Sequence, residues 1–90
     1  MRYIVTSMKT NDEAVVETAT VAENRAAAAI WINECIESDK DAEDCGCTIE
    51  NCEKQVEKVS SDMINEYAEV GVFFENGSRY KYQVLPYSEA

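Results

Sequence analysis

In residues 48–63, TIENCEKQVEKVSSDM, the apolar side chains Ile49, Cys52, Val56, Val59 and Met63 recur at alternating spacings of three and four. That period places them on one stripe of an amphipathic helix, with Thr48 available as its N-cap. If the stretch is helical, the chain carries two consecutive helices between two pairs of strands. On the N-terminal side, residues 38–48 have no apolar period and hold Asp39, Asp41, Glu43, Asp44 and Gly46, which reads as a loop. Before that loop, Thr20 and Glu23 have the spacing of a capping box, so a helix is expected from Val21. Val21, Ala28, Ala29, Ile32, Cys35 and Ile36 then fall on one stripe that faces a sheet. Arg25 shares the stripe and must pair or reach out to water.

Both ends of the chain read as hairpins. Residues 2–9 are rich in β-branched side chains and reach a second extended run, Ala14 to Ala19, through the polar turn Thr10–Glu13. At the other end a three-residue loop, Glu75–Gly77, with Gly77 in the left-handed region, pairs Val72 with Tyr80 and Val70 with Tyr82. A two-residue Asn-Gly loop would pair apolar residues with Lys81 and Gln83 instead. The three-residue loop also brings Phe73 and Arg79 together on the opposite face, within reach of a cation–π contact. The expected fold is α+β, an antiparallel four-stranded sheet with two helices in the order ββααββ, in one domain spanning residues 1–90.

Composition narrows the function. The 90 residues contain 18 Asp and Glu against 8 Lys and Arg and no His, for a net charge of −10. Such a surface repels nucleic acid and anionic membranes and attracts basic proteins. Without histidine there is no Ser-His-Asp or Cys-His pair, so a non-catalytic role is expected, with no cofactor. The first residues lack the continuous apolar run of a signal peptide, and a cytoplasmic location is expected, with Cys35, Cys45, Cys47 and Cys52 as thiols. Their spacing, C-x9-C-x-C-x4-C, does not match paired zinc knuckles. Cys35 and Cys52 lie on apolar stripes, whereas Cys45 and Cys47 are expected at the surface.

Asp39, Asp41, Glu43 and Glu50 stand at positions 1, 3, 5 and 12 of a count similar to the EF-hand calcium loop. Asp44 replaces the glycine of position 6 and Gly46 the apolar residue of position 8, and the solvated acidic loop is the preferred reading. A metal-responsive module, for calcium or zinc, is the alternative. A small-ligand binder or enzyme with a site at a helix-sheet or subunit interface is another.

Between Glu34 and Glu69 twelve acids face Lys40, Lys54 and Lys58, a segment charge of −9. Glu34, Glu37, Asp39, Asp41, Glu43 and Asp44 are expected to form a partner-binding face for a basic protein surface, such as that of a nucleic-acid-processing complex. Ile30 lies about 160° and Trp31 about 100° from Ile32 around the helix, outside the core stripe, and the pair suits an apolar anchor for that partner or for a homodimer through the first helix. In size and charge profile the whole chain resembles the small acidic inhibitors encoded by phages, including anti-CRISPR proteins and DNA mimics, though it shares no motif with them. The resemblance implies inhibition by occupying a basic nucleic-acid-binding surface, and it transfers no individual residue.

Overall fold

A computed structural model describes residues 2–10, 14–51, 54–64 and 68–87, with the side chains of 10, 14–17 and 68 excepted. Six strands form one antiparallel sheet: β1 (Arg2–Thr10), β2 (Ala14–Ala22), β3 (Cys47–Asn51), β4 (Lys54–Val56), β5 (Ala68–Phe74) and β6 (Arg79–Tyr87), in the spatial order β2-β1-β6-β5-β3-β4. Among the described residues a single α-helix, α1 (Arg25–Glu43), covers one face. The expected four strands and two helices are therefore corrected to six strands and one helix.

The correction lies in residues 48–63. Their three-four period is that of a helix, yet Thr48, Ile49, Val56 and Val59 are β-branched and suit an extended chain. Pairing decides between the two: Ile49 stands opposite Val72 of β5 on one side and Val56 of β4 on the other. Val59 then lies in an irregular segment before a short 3-10 turn, Ser61–Met63. Val59 and Ile64 are nonetheless buried and join the core. Cys52 lies outside the described residues.

Both boundaries of α1 also move. β2 continues through Ala22, with Tyr3 opposite Ala22 and Ile4 opposite Val21, because pairing with β1 satisfies more backbone groups than an early helical turn would. Asn24 rather than Thr20 is the cap, its Oδ1 accepting from the Ala27 N–H at 2.8 Å. Val21 accordingly belongs to a strand and is 51% exposed on the face away from the helix. At the other end α1 runs through the segment read as a loop and stops at Asp44, whose φ of 54° is left-handed and whose N–H reaches the Lys40 carbonyl at 2.9 Å.

The core lies between α1 and the sheet. Ala28, Ala29, Ile32 and Ile36 meet Tyr3 and Val5 of β1, Ile49 of β3, Val70, Val72 and Phe74 of β5, and Tyr80, Tyr82 and Val84 of β6. The small Ala28 and Ala29 allow close approach, and Arg25 Nε donates to the Tyr3 hydroxyl at 3.1 Å. The C-terminal hairpin has the expected register, Val70 opposite Tyr82 and Val72 opposite Tyr80, and Gly77 takes a φ of 94°. Phe73 stands opposite Arg79. The N-terminal hairpin is also present, although its turn at 11–13 lies outside the described residues.

Asn33 fastens the irregular segment to the helix: its Nδ2 donates to the Val59 carbonyl at 2.7 Å and its Oδ1 accepts the Val59 N–H at 2.9 Å. Asn33→Ala leaves both backbone groups without partners and is expected to cost about 1–3 kcal/mol in urea denaturation. A loss below about 0.5 kcal/mol, the scale of an ordinary surface change, would contradict this attachment.

Candidate functional site

The inward stripe of α1 continues past Ile36 to Asp39 and Glu43, three and seven residues further on. Both carboxylates therefore turn toward the sheet rather than toward solvent. Asp39 Oδ2 accepts from the Tyr82 hydroxyl at 2.6 Å. Glu43 Oε1 accepts from the Tyr80 hydroxyl at 2.9 Å, while its Oε2 accepts from Asn76 Nδ2 at 2.8 Å and Ser78 Oγ at 2.9 Å. Lys9 Nζ lies 3.4 Å from Glu43 Oε1 and 5.7 Å from the centre of the Tyr80 ring. The Glu43 side chain is only 12% exposed.

These contacts shift the titrations. Hydrogen bonds from Asn76, Tyr80 and Ser78, in that order, hold the Glu43 carboxyl at about 2, with Lys9 adding to them and burial opposing. Burial pushes the Tyr82 hydroxyl well above its ordinary value, and the negative Asp39 that it serves pushes it further. Burial also raises the Cys35 thiol, helped by Asp39 and Glu34, and raises that of Cys47. Neither thiol is an activated nucleophile.

The expected calcium-type segment is not a loop between helices. Asp39, Asp41 and Glu43 lie on α1, and Glu50 lies in β3 opposite Gln55 and Gly71. Among the described residues no three Cys, Asp or Glu side chains are gathered to hold a metal ion.

The remaining acids of α1 are brought into line. Glu34, Glu37 and Asp41 are exposed, and their spacings of three and four keep them within about 60° of one another on the outer face, while Asp44, the left-handed cap, is exposed just past the helix end. Ile30, 59% exposed, continues the same stripe toward the N-terminus. Trp31 does not join it: its ring meets that of Tyr82 edge-on, with centroids 6.4 Å apart, and packs on the core. Lys40 Nζ lies 3.4 Å from Glu37 Oε1, an exposed pair that leaves the sign of the stripe unchanged. Of the further acids in the charged segment, Glu57, Asp62 and Glu69 are exposed, while Glu53 and Glu66 lie outside the described residues.

Comparison with protein-family models, with curated proteins and with solved structures finds no match for the chain. None of the described helices is long and apolar enough to cross a membrane.

A carboxyl held near 2 when folded and near its ordinary value of 4.5 when unfolded stabilises the fold fully above about 4.5, and that contribution is lost as the pH falls through about 2. The urea midpoint of the wild type is expected to fall over this window more than that of Glu43→Gln. Parallel curves for the two proteins would refute the assignment.

Proposed function

We propose that this is a non-catalytic binding protein whose acidic helix face engages a basic surface of another protein. Its action is inhibitory, in the cytoplasm, on a partner whose basic surface otherwise holds nucleic acid. The supporting observation is the line of Glu34, Glu37, Asp41 and Asp44, three exposed carboxylates on one rigid helix and a fourth on its C-cap. The helix from Glu34 to its cap places these charges within about 15 Å, one per roughly 4–5 Å. A DNA strand presents one charge per about 3.4 Å of its axis, so the stripe offers a basic groove a comparable line of charge.

Rigidity supports the same reading. The helix is fixed to the sheet by the tyrosine contacts of Asp39 and Glu43, so the outer carboxylates are held in place before any partner arrives, and little ordering cost remains at binding. Ile30 at the end of the stripe supplies apolar area at the rim of the charged face.

Reversing Glu34, Glu37, Asp41 and Asp44 together to Lys is expected to abolish capture of the partner from host cells while leaving the circular dichroism spectrum unchanged, since these exposed charges contribute little to stability. Wild-type binding should also weaken steeply between roughly 0.05 and 0.3 M salt. Undiminished binding by the folded variant, or binding indifferent to salt, would contradict the proposal.

A further inference from the structure

The two edges of the sheet differ in kind. β4 is three residues long, contains Lys54 and is followed by Glu57 and Lys58, and a short edge with lysines is protected against pairing with another chain. β2 is nine residues long and contains no Lys, Arg or Pro. Its one charged residue, Glu17, is the extra residue of a bulge, where the register passes from Ser7 opposite Thr18 to Met8 opposite Val16. Past the bulge, Thr18–Ala22 is a regular, uncharged segment, TATVA, paired with β1 on its inner side and with no strand on its outer side among the described residues.

Side chains leave this edge accessible. Thr18, Ala19 and Val21 are exposed, and beside Thr18 lies an open recess of about 180 Å³ bounded by Ser7, Thr18, Cys35, Ser38, Asp39 and Tyr80. A strand added to β2 would find its backbone partners in the edge and room for its side chains beside the recess.

The geometry points to a second copy of this chain as the occupant, β2 pairing antiparallel with β2 about a two-fold axis at Thr20 to make one continuous twelve-stranded sheet. A two-fold axis perpendicular to the sheet keeps each face with its own kind only in registers that differ by two residues. Centred on Thr20, the register sets Thr20 against Thr20, Ala19 against Val21 and Thr18 against Ala22. All are small or β-branched, and within this segment no charge meets its like; the next position outward sets Glu23 against Glu17, which the bulge takes out of the regular ladder. The neighbouring registers centre on Ala19, which draws Glu17 of the bulge into the ladder against Val21, and on Val21, which shortens the uncharged ladder and sets Glu23 against Ala19.

Charge is arranged compatibly, which matters for a chain of net −10. β3 and β4 lie at the far edge, about 20 Å from β2 at roughly 4.8 Å per strand, well beyond the screening length of about 8 Å. α1 starts two residues after β2 ends and runs back over the sheet, with no acid in its first turn. Its N-terminal stretch up to Asn33, whose one charge is the cation Arg25, therefore lies near the axis, and the acids from Glu34 onward run away from it in opposite directions in the two copies.

Sedimentation equilibrium tests the pairing. Wild type is expected to dimerise at about 100 µM or below. The double variant Ala19→Lys with Val21→Lys sets like charges against each other twice across the axis and should be a folded monomer. Ala19→Lys with Val21→Glu sets opposite charges in the same places and should recover the dimer in a salt-sensitive way. A monomeric wild type at that concentration overturns the inference, as does a dimer that survives in the double-lysine variant or fails to return in the charge pair. Should the double-lysine variant not fold, amide exchange of wild type decides: protection over Thr18–Ala22 must rise with protein concentration, and concentration-independent exchange overturns the pairing. None of these residues belongs to the acidic stripe, so the outcome is independent of the partner-binding proposal.

Discussion

Two carboxylates one helical turn apart meet two tyrosine hydroxyls two residues apart on a strand, and the placement of the helix depends on that match. Four residues of helix advance about 6 Å, and two residues of strand advance about 6.7 Å. Asp39 and Glu43 can therefore reach Tyr82 and Tyr80 at the same time, with α1 antiparallel to β6. A one-residue slip turns a helix by about 100° and would withdraw both carboxylates from the tyrosines. The apolar contacts of Ile32 and Ile36 tolerate some adjustment, whereas these directional bonds between buried groups do not. Tyr82 has no exposed surface, so its hydroxyl would lose the charged acceptor at 2.6 Å in any other arrangement and keep Ser7 as its remaining neighbour.

This constraint also sorts the acids. With Ile32, Ile36, Asp39 and Glu43 committed inward, helical phase turns Glu34, Glu37 and Asp41 outward, and Asp44 is exposed at the cap that follows. Two acids become structural, and four are presented as a line. Concentrating like charge on one face destabilises the fold through self-repulsion, and the carboxylates bound by tyrosine, serine, asparagine and lysine offset part of that cost. Glu43 also holds the loop of the C-terminal hairpin through Asn76 and Ser78, so the end of the helix, the tip of the hairpin and the end of β1 at Lys9 are tied at a single carboxylate.

Much of this was legible in the chain. Alternation of Val70, Val72, Tyr80 and Tyr82 around Gly77 specified the hairpin and its register, because a one-residue slip would have buried Lys81. The apolar stripe of Ala28, Ala29, Ile32 and Ile36 specified the covered face of the helix. Residues 48–63 misled because a period of three and four arises as readily from a strand followed by an irregular buried segment, and only the pairing of Ile49 with Val72 distinguishes them. Asp39 and Glu43 were missed for a related reason. Their phase matches the core stripe, but charged residues read as solvent-facing unless a partner is known, and Tyr80 and Tyr82 stand about forty positions away. The signal that could have found them was the coincidence of an i, i+4 acid pair in core phase with an i, i+2 tyrosine pair on an inward face.

A double-mutant cycle between Asp39→Asn and Tyr82→Phe tests this account most directly, because Phe preserves the packing of the buried ring while removing the hydroxyl. A hydrogen bond to a charged acceptor predicts a coupling of about 1.5–3 kcal/mol in urea denaturation. Additive effects, with a coupling below about 0.5 kcal/mol, would show that the helix is placed by apolar packing alone and would contradict the central role given to the carboxylate-tyrosine match.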